Sequence, residues 1–142
     1  MDYKELNQAV KGIASKGLEE RKNWYSPAAE AYNSTRPKYP RELVGKAVSA
    51  AKLSSSSRIL EIGSGPGTAT TSFAELGCHM VCIEPNPYFC KIAKKKCKVY
   101  SSVEVINKSF EEWDLETEAF DAVLAASSMH WIPSEIGYTK AS

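Results

Sequence analysis

The sequence predicts an α/β fold, a doubly wound and mostly parallel sheet, and three observations predict it. From about residue 40 onward, short apolar runs of strand length alternate with stretches of helical apolar spacing, the pattern of parallel strands joined by right-handed crossovers. The first run, Ile59, Leu60 and Ile62, leads straight into Gly63, Gly65 and Gly67, a loop too rich in glycine for an ordinary connection. A second run, Met80 to Ile83, ends in Glu84, nineteen positions after Gly65.

Taken in order, Leu6, Val10 and Ile13 fall at helical intervals weakened by Gly12 and Gly17, so residues 1 to about 31 read as a loose helical extension. Pro37 and Pro40 punctuate a loop, after which Leu43, Val44, Ala47, Val48 and Ala51 form one apolar helix face. Ser54 to Ser57 turns the chain into the first strand at Arg58. Beyond the glycine loop, Ala69, Phe73 and Leu76 mark a helix that Gly77 ends in the C′ role. The second strand is expected at about His79 to Glu84. Asn86 and Pro87 then form a cap and N1 pair, with Tyr88, Phe89, Ile92 and Ala93 as the buried face. Lys91, Lys94, Lys95, Lys96 and Lys98 crowd the last turns, where they complement the helix dipole; a solvated helix end is favoured over a nucleic-acid patch. Val103 to Asn107 and Asp121 to Ala125 are the third and fourth strands, and Pro133 stands at a further helix start.

A chain of 142 residues suits one domain. With 18 basic and 17 acidic side chains its net charge is +1, so no global field favours nucleic acid or an anionic membrane. The opening Met-Asp-Tyr-Lys-Glu lacks an apolar signal core, and no run of about 18 apolar residues is present, so a cytoplasmic location is expected. Cys78, Cys82, Cys90 and Cys97 form no C-x-x-C pair, and His79 and His130 are the only imidazoles, so packed thiols are expected in place of a metal site.

Glycine permits positive φ and close backbone approach, and a loop joining strand to helix turns its N–H groups toward the crevice at the strand's tip. Glu84 falls where a nucleoside-binding β-α-β unit places an acid to accept the ribose hydroxyl hydrogens. A dinucleotide fingerprint reads G-x-G-x-x-G, whereas Pro66 and Gly67 break that spacing here and no Lys or Arg stands nearby for a phosphate. A nicotinamide-dependent oxidoreductase is therefore the weaker reading.

The G-S-G-P-G turn resembles motif I of class I S-adenosylmethionine-dependent methyltransferases. Three further pieces follow in that family's order: V-C-I-E-P-N (Val81 to Asn86), N-K-S-F-E-E-W (Asn107 to Trp113) and F-D-A-V-L-A-A-S-S-M-H-W-I (Phe120 to Ile132). A fifth, Y-N-S-T-R-P-K-Y-P (Tyr32 to Pro40), resembles the lead-in that covers the cofactor pocket in small-molecule enzymes of the trans-aconitate methyltransferase group. The resemblance implies a truncated Rossmann-like sheet of strand order 3-2-1-4, with residues 1–39 as lead-in and 40–142 as a partial S-adenosylmethionine-binding domain. It implies methyl transfer from S-adenosylmethionine to a small-molecule acceptor, with a non-catalytic cofactor-binding remnant or subunit as the alternative.

In that reading the backbone of Gly63 and Gly65, with Ser64 between them, cradles the amino-acid end of the cofactor, and Glu61 lies near its ammonium directly or through water. Glu84, expected as a solvent-near acid, holds the ribose. Pro85 and Asn86 flank one adenine face, while Ser109 and Phe110 approach the other with the Ser109 hydroxyl or the Phe110 N–H near the ring nitrogens. Ala126, after the fourth strand, and Tyr32 and Arg36 in the lead-in complete the set, Arg36 suiting a carboxylate or else a loop salt bridge. His130 suits a general base or, with Trp131, a pocket wall. Glu61 as a helix cap or lysine partner, and Phe110 as ordinary core, stay open as structural roles. The family continues through about three more strands, so Val123 and Leu124 are expected on an exposed edge that is a template for self-association.

Overall fold

Four parallel strands carry the fold in the computed structural model, which describes residues 4–5, 8, 11–12, 16–23, 29–35, 38–114, 118–126, 132 and 134–142. They are β1 (Arg58–Ile62), β2 (His79–Ile83), β3 (Val103–Ile106) and β4 (Ala122–Leu124), in the order β3-β2-β1-β4. The register sets Ile62 beside Ile83 and Ile83 beside Ile106, so β1, β2 and β3 end level with one another. On the other side of β1, Glu61 stands beside Leu124. Asp121 starts this last pairing: its carboxylate accepts the Arg58 N–H at 2.8 Å, and its own N–H donates to the Arg58 carbonyl at 2.8 Å.

β1 and β2 lie inside the sheet with both faces covered, which explains their nearly unbroken apolar sequence. Ile59, Met80 and Cys82 pack with Val44, Phe73 and Cys78 in one core. Leu60, Ile62 and Ile83 pack with Phe110 and Trp113 in another. Each fully buried aliphatic side chain contributes about 1.5–3 kcal/mol relative to exposure. Among the described residues β4 pairs with β1 alone; Val123 is exposed, whereas Leu124 packs against the first core.

The helices are α1 (Leu18–Lys22), α2 (Ala29–Thr35), α3 (Arg41–Ala50), α4 (Thr68–Ala74), α5 (Pro87–Lys96) and α6 (Ser134–Ala141). Three expected faces are narrower than their spacing predicts. On α3, Val44 is buried and Ala47 and Val48 are half-buried, but Leu43 and Ala51 are exposed. α4 stops at Ala74, so Leu76 falls in the following turn and points to solvent. Gly77 takes the left-handed conformation at φ +88°, two residues past the Glu75 cap and so one beyond C′. On α5, Tyr88 is exposed while Phe89, Cys90, Ala93 and Cys97 fill the contact surface.

The cap at Asn86 is as expected, its side chain accepting from the Tyr88 and Phe89 N–H groups at 3.0 and 3.2 Å. All four cysteines are free and buried. The Leu6, Val10, Ile13 stripe and Pro37 lie outside the described residues. Among the described residues no helix is long and apolar enough to cross a membrane.

Candidate functional site

β1 delivers the chain into three glycines in the left-handed region, Gly63 at φ +66°, Gly65 at +56° and Gly67 at +89°. The Gly63 N–H donates to the Ile83 carbonyl at 2.8 Å and the Gly67 N–H to the Ser64 carbonyl at 3.1 Å, so the loop is tied to the end of β2 and folded on itself. The glycines serve different purposes. A Cβ on Gly67 would meet Ala93 Cα at 3.4 Å and Cys97 Sγ at 3.6 Å, so Gly67 lets the loop settle on α5. A Cβ on Gly65 would meet nothing within 4 Å, so Gly65 faces open space. The Ser64 hydroxyl is buried and has no hydrogen-bond partner among the described residues. Leaving such a group unsatisfied costs about 1–3 kcal/mol, which a polar ligand atom would offset.

Glu84 is buried at 6% exposure, and not solvent-near as its place at the end of a strand suggested. Its two oxygens each accept a backbone N–H at 3.2 Å, one from Gly65 and one from Asn86. Burial pushes the carboxyl up to about 7; the two N–H groups oppose this, and the neighbouring Glu61 charge adds to it. Asn107, not singled out as a site residue from sequence, donates to the carbonyls of Glu84 and Pro85 at 3.0 Å each and so fixes the segment that carries the acid. The Cys90 thiol donates to the Glu84 carbonyl at 3.2 Å. Burial first, and the Glu84 charge second, push that thiol up to about 12.

Glu61 points into the first core layer, in step with Ile59. It accepts the Thr70 hydroxyl at 2.5 Å and the Cys82 thiol at 3.5 Å, and burial raises its carboxyl to about 7. Neither a lysine pair nor capping of a backbone N–H describes these contacts. The acid instead ties β1 to the first turn of α4, directly behind the glycine loop.

Ser109 and Phe110 sit after β3 in a single hydrogen-bonded turn. The Ser109 hydroxyl donates to Glu112 at 3.0 Å and accepts the Glu112 N–H at 3.2 Å, while Glu112 also accepts the Ser109 N–H at 3.3 Å. This is a capping box, and its S-x-x-E signature was readable in the sequence as the signal for Glu112. The Phe110 ring packs in the second core beside Ile62 and Ile83.

The structure thus gathers Gly65, Glu84 and Asn86 by direct hydrogen bonds, with Gly63, Ser64 and Pro85 in the same loops. The Asn86 side chain is occupied as the cap of α5. Ala126 is half-buried just past β4. Arg36, Ser127, Ser128, Met129, His130 and Trp131 lie outside the described residues; Tyr32 belongs to α2, and its side chain is not described.

Residues 59–138 match the family described as methyltransferase domain. An uncharacterized methyltransferase of Mycobacterium tuberculosis strain H37Rv is 31% identical over 108 residues, covering 76% of this chain and 42% of its own length. The same figures hold for an uncharacterized methyltransferase of Mycobacterium bovis. The chain therefore spans about two-fifths of the length of these relatives. Among solved structures, a dimethyladenosine transferase from Plasmodium falciparum is 28% identical, with a TM-score of 0.56 over 72% of this chain and 35% of that one. A SAM-dependent methyltransferase from Thiobacillus denitrificans, solved in complex with S-adenosyl-L-homocysteine, has a TM-score of 0.58 at 18% identity, covering 75% of this chain and 45% of that one. This second likeness is one of fold.

Proposed function

This chain belongs to the methyltransferase-domain family, and we propose that it binds S-adenosylmethionine and directs its methyl group to a small-molecule acceptor. The observation that carries the reading is the position of Glu84, a buried acid hydrogen-bonded to Gly65 and so fastened to the glycine loop. Two further features fit such a cofactor: the buried Ser64 hydroxyl, without a partner among the described residues, and the open space over Gly65. The near-neutral balance of charge supports a small acceptor over a polynucleotide.

Bound S-adenosylmethionine supplies a methyl carbon already activated by a sulfonium, so the protein's task is to hold donor and acceptor in line. Gly63 and Gly65 leave room for close approach of the amino-acid end, with Ser64 offering its hydroxyl. Glu84, when ionised, accepts hydrogens from the ribose hydroxyls while Gly65 and Asn86 fix its two oxygens. Pro85, held by Asn107, forms one wall for the adenine. Because the Ser109 hydroxyl donates to Glu112, the Phe110 N–H is the group we assign to the ring nitrogens. Glu61 acts on the amino-acid end from behind the loop, through the α4 turn that it holds. To Tyr32 and Arg36 of the lead-in (residues 1–39) and to Ala126 we assign roles in binding the cofactor, and to His130 the acceptor's proton or, with Trp131, a pocket wall.

Calorimetry with S-adenosylhomocysteine and with NAD tests the binding half, and binding of NAD alone would refute it. Transfer of labelled methyl from S-adenosylmethionine to a pool of metabolites, with RNA in parallel, tests the acceptor. Label in RNA alone would refute the small-molecule reading, and binding without any transfer would leave a cofactor-binding subunit.

A further inference from the structure

Glu112 stands at the meeting point of two parts of the chain that the sheet does not connect. One of its oxygens accepts the Lys22 ammonium at 2.7 Å, and the other holds the N–H and hydroxyl of Ser109. Beside it, the Arg21 guanidinium donates to Glu111 at 3.0 Å. From the far side Lys140 of α6 donates to the carbonyls of Glu111 and Trp113 and lies 5.4 Å from the centre of the Phe110 ring.

α1 is five residues long and buries none of them. A helix so short does not hold its shape alone, so α1 depends on what it docks against. Its attachment to the turn at 109–113 is by charge: Arg21 and Glu111 are 14% and 12% exposed, while Lys22, at 16%, meets Glu112, at 39%, and also Glu19 of its own helix at 3.0 Å. Such pairs are screened less than fully exposed ones. By linkage, whatever orders the turn favours docking of α1, and docking of α1 orders the turn.

We propose that Glu112 is a positioning residue, which with Lys22 couples the docking of α1 to the placement of the Ser109–Phe110 backbone against the nucleoside. The proposal rests on the function argued above. Its consequence is that affinity for the nucleoside depends on an ion pair formed outside the site, although S-adenosylhomocysteine itself carries no net charge at neutral pH.

The test is calorimetry with S-adenosylhomocysteine at low and high salt on the wild type, Lys22→Met, Glu112→Gln and the double variant, with hydrogen exchange at Ser109 to Trp113 in the absence of ligand. At low salt each single variant is expected to weaken binding about two- to fivefold, and the double variant no more than the weaker-binding single. High salt should lower the wild type toward Lys22→Met, whose own affinity falls less because only the Arg21–Glu111 pair remains to be screened. Exchange at Glu112 and Trp113 should quicken in Lys22→Met. The pair Arg21→Glu with Glu111→Arg should recover what Arg21→Glu alone loses. Unchanged affinity in Lys22→Met at every salt concentration overturns the proposal, and so do additive losses. Faster exchange with unchanged affinity also overturns it, because the contact is then structural only and the function stands. A wild type that binds no S-adenosylhomocysteine overturns both.

Discussion

The Gly65 N–H donates to the Glu84 carboxylate at 3.2 Å, so the centre of the glycine loop and the end of β2 share one hydrogen bond. Because Asn86 donates to the second oxygen, the acid holds both loops that face the crevice.

Replacing Glu84 therefore has two effects. Glu84→Ala is expected to weaken S-adenosylhomocysteine roughly 10- to 150-fold through loss of charge-assisted bonds. It also leaves the buried Asn86 N–H without its acceptor, at a cost of about 1–3 kcal/mol in urea unfolding, and the part-buried Gly65 N–H at a smaller one. Glu84→Gln should keep much of the stability and still lose affinity. Equal affinity in Glu84→Gln and wild type would remove the charge from the account.

The glycines should separate in the same manner. Gly65→Val is expected to abolish binding, because its side chain would enter the open space at φ +56°, at a conformational cost of about 1–2 kcal/mol. Gly67→Val should instead lower the melting temperature further, since its Cβ would already lie 3.4 Å from the α5 backbone. A Gly65→Val protein that binds normally would show that the loop does not touch the ligand.

Glu61 and Glu84 each move from an ordinary 4.5 to about 7 on folding. The folded chain thus binds more protons than the unfolded one between these values. Their contribution to stability is fullest below about 4.5, falls as pH rises to about 7, and is level above. The slope is at most about 1.4 kcal/mol per pH unit per group. Glu61→Gln, which keeps an acceptor for Thr70, is expected to be more stable than wild type at pH 8 and to differ little at pH 4.5. Urea titrations at the two pH values check this.

Ligand binding should have the opposite slope. Only ionised Glu84 accepts from both ribose hydroxyls, so affinity is expected to fall as pH drops below about 7 and to plateau above it. Binding near neutrality should release protons, seen as a dependence of the calorimetric heat on buffer ionisation enthalpy. A flat profile in the wild type, matching Glu84→Gln, would count against this role.

The sheet was legible because β1 and β2 are covered on both faces and so are apolar at nearly every inner position, and because the glycines and Asn86 occupy positions few other residues tolerate. The surface of Leu43, Leu76 and Tyr88 was not, because spacing alone cannot say where α4 stops or how wide a stripe α3 buries. Glu84 followed from its interval to Gly65, yet its burial did not, since that depends on the glycine loop and the start of α5 folding onto its carboxylate, where Gly65 and Asn86 each donate an N–H. Thr70 as the partner of Glu61 has no local signature at all; it appears only when α4 folds back on β1.

The spread of these partners along the chain also orders their assembly. Residues paired between β1 and β2 lie 21 apart, as in Glu61 and Cys82, whereas Arg58 and Asp121 lie 63 apart. Closing the longer loop costs about 1 kcal/mol more entropy than closing the shorter. During refolding the β1–β2 pair, and with it the Gly65–Glu84 bond, is therefore expected to form ahead of β4, so that a growing or refolding chain acquires its nucleoside crevice before its sheet is finished.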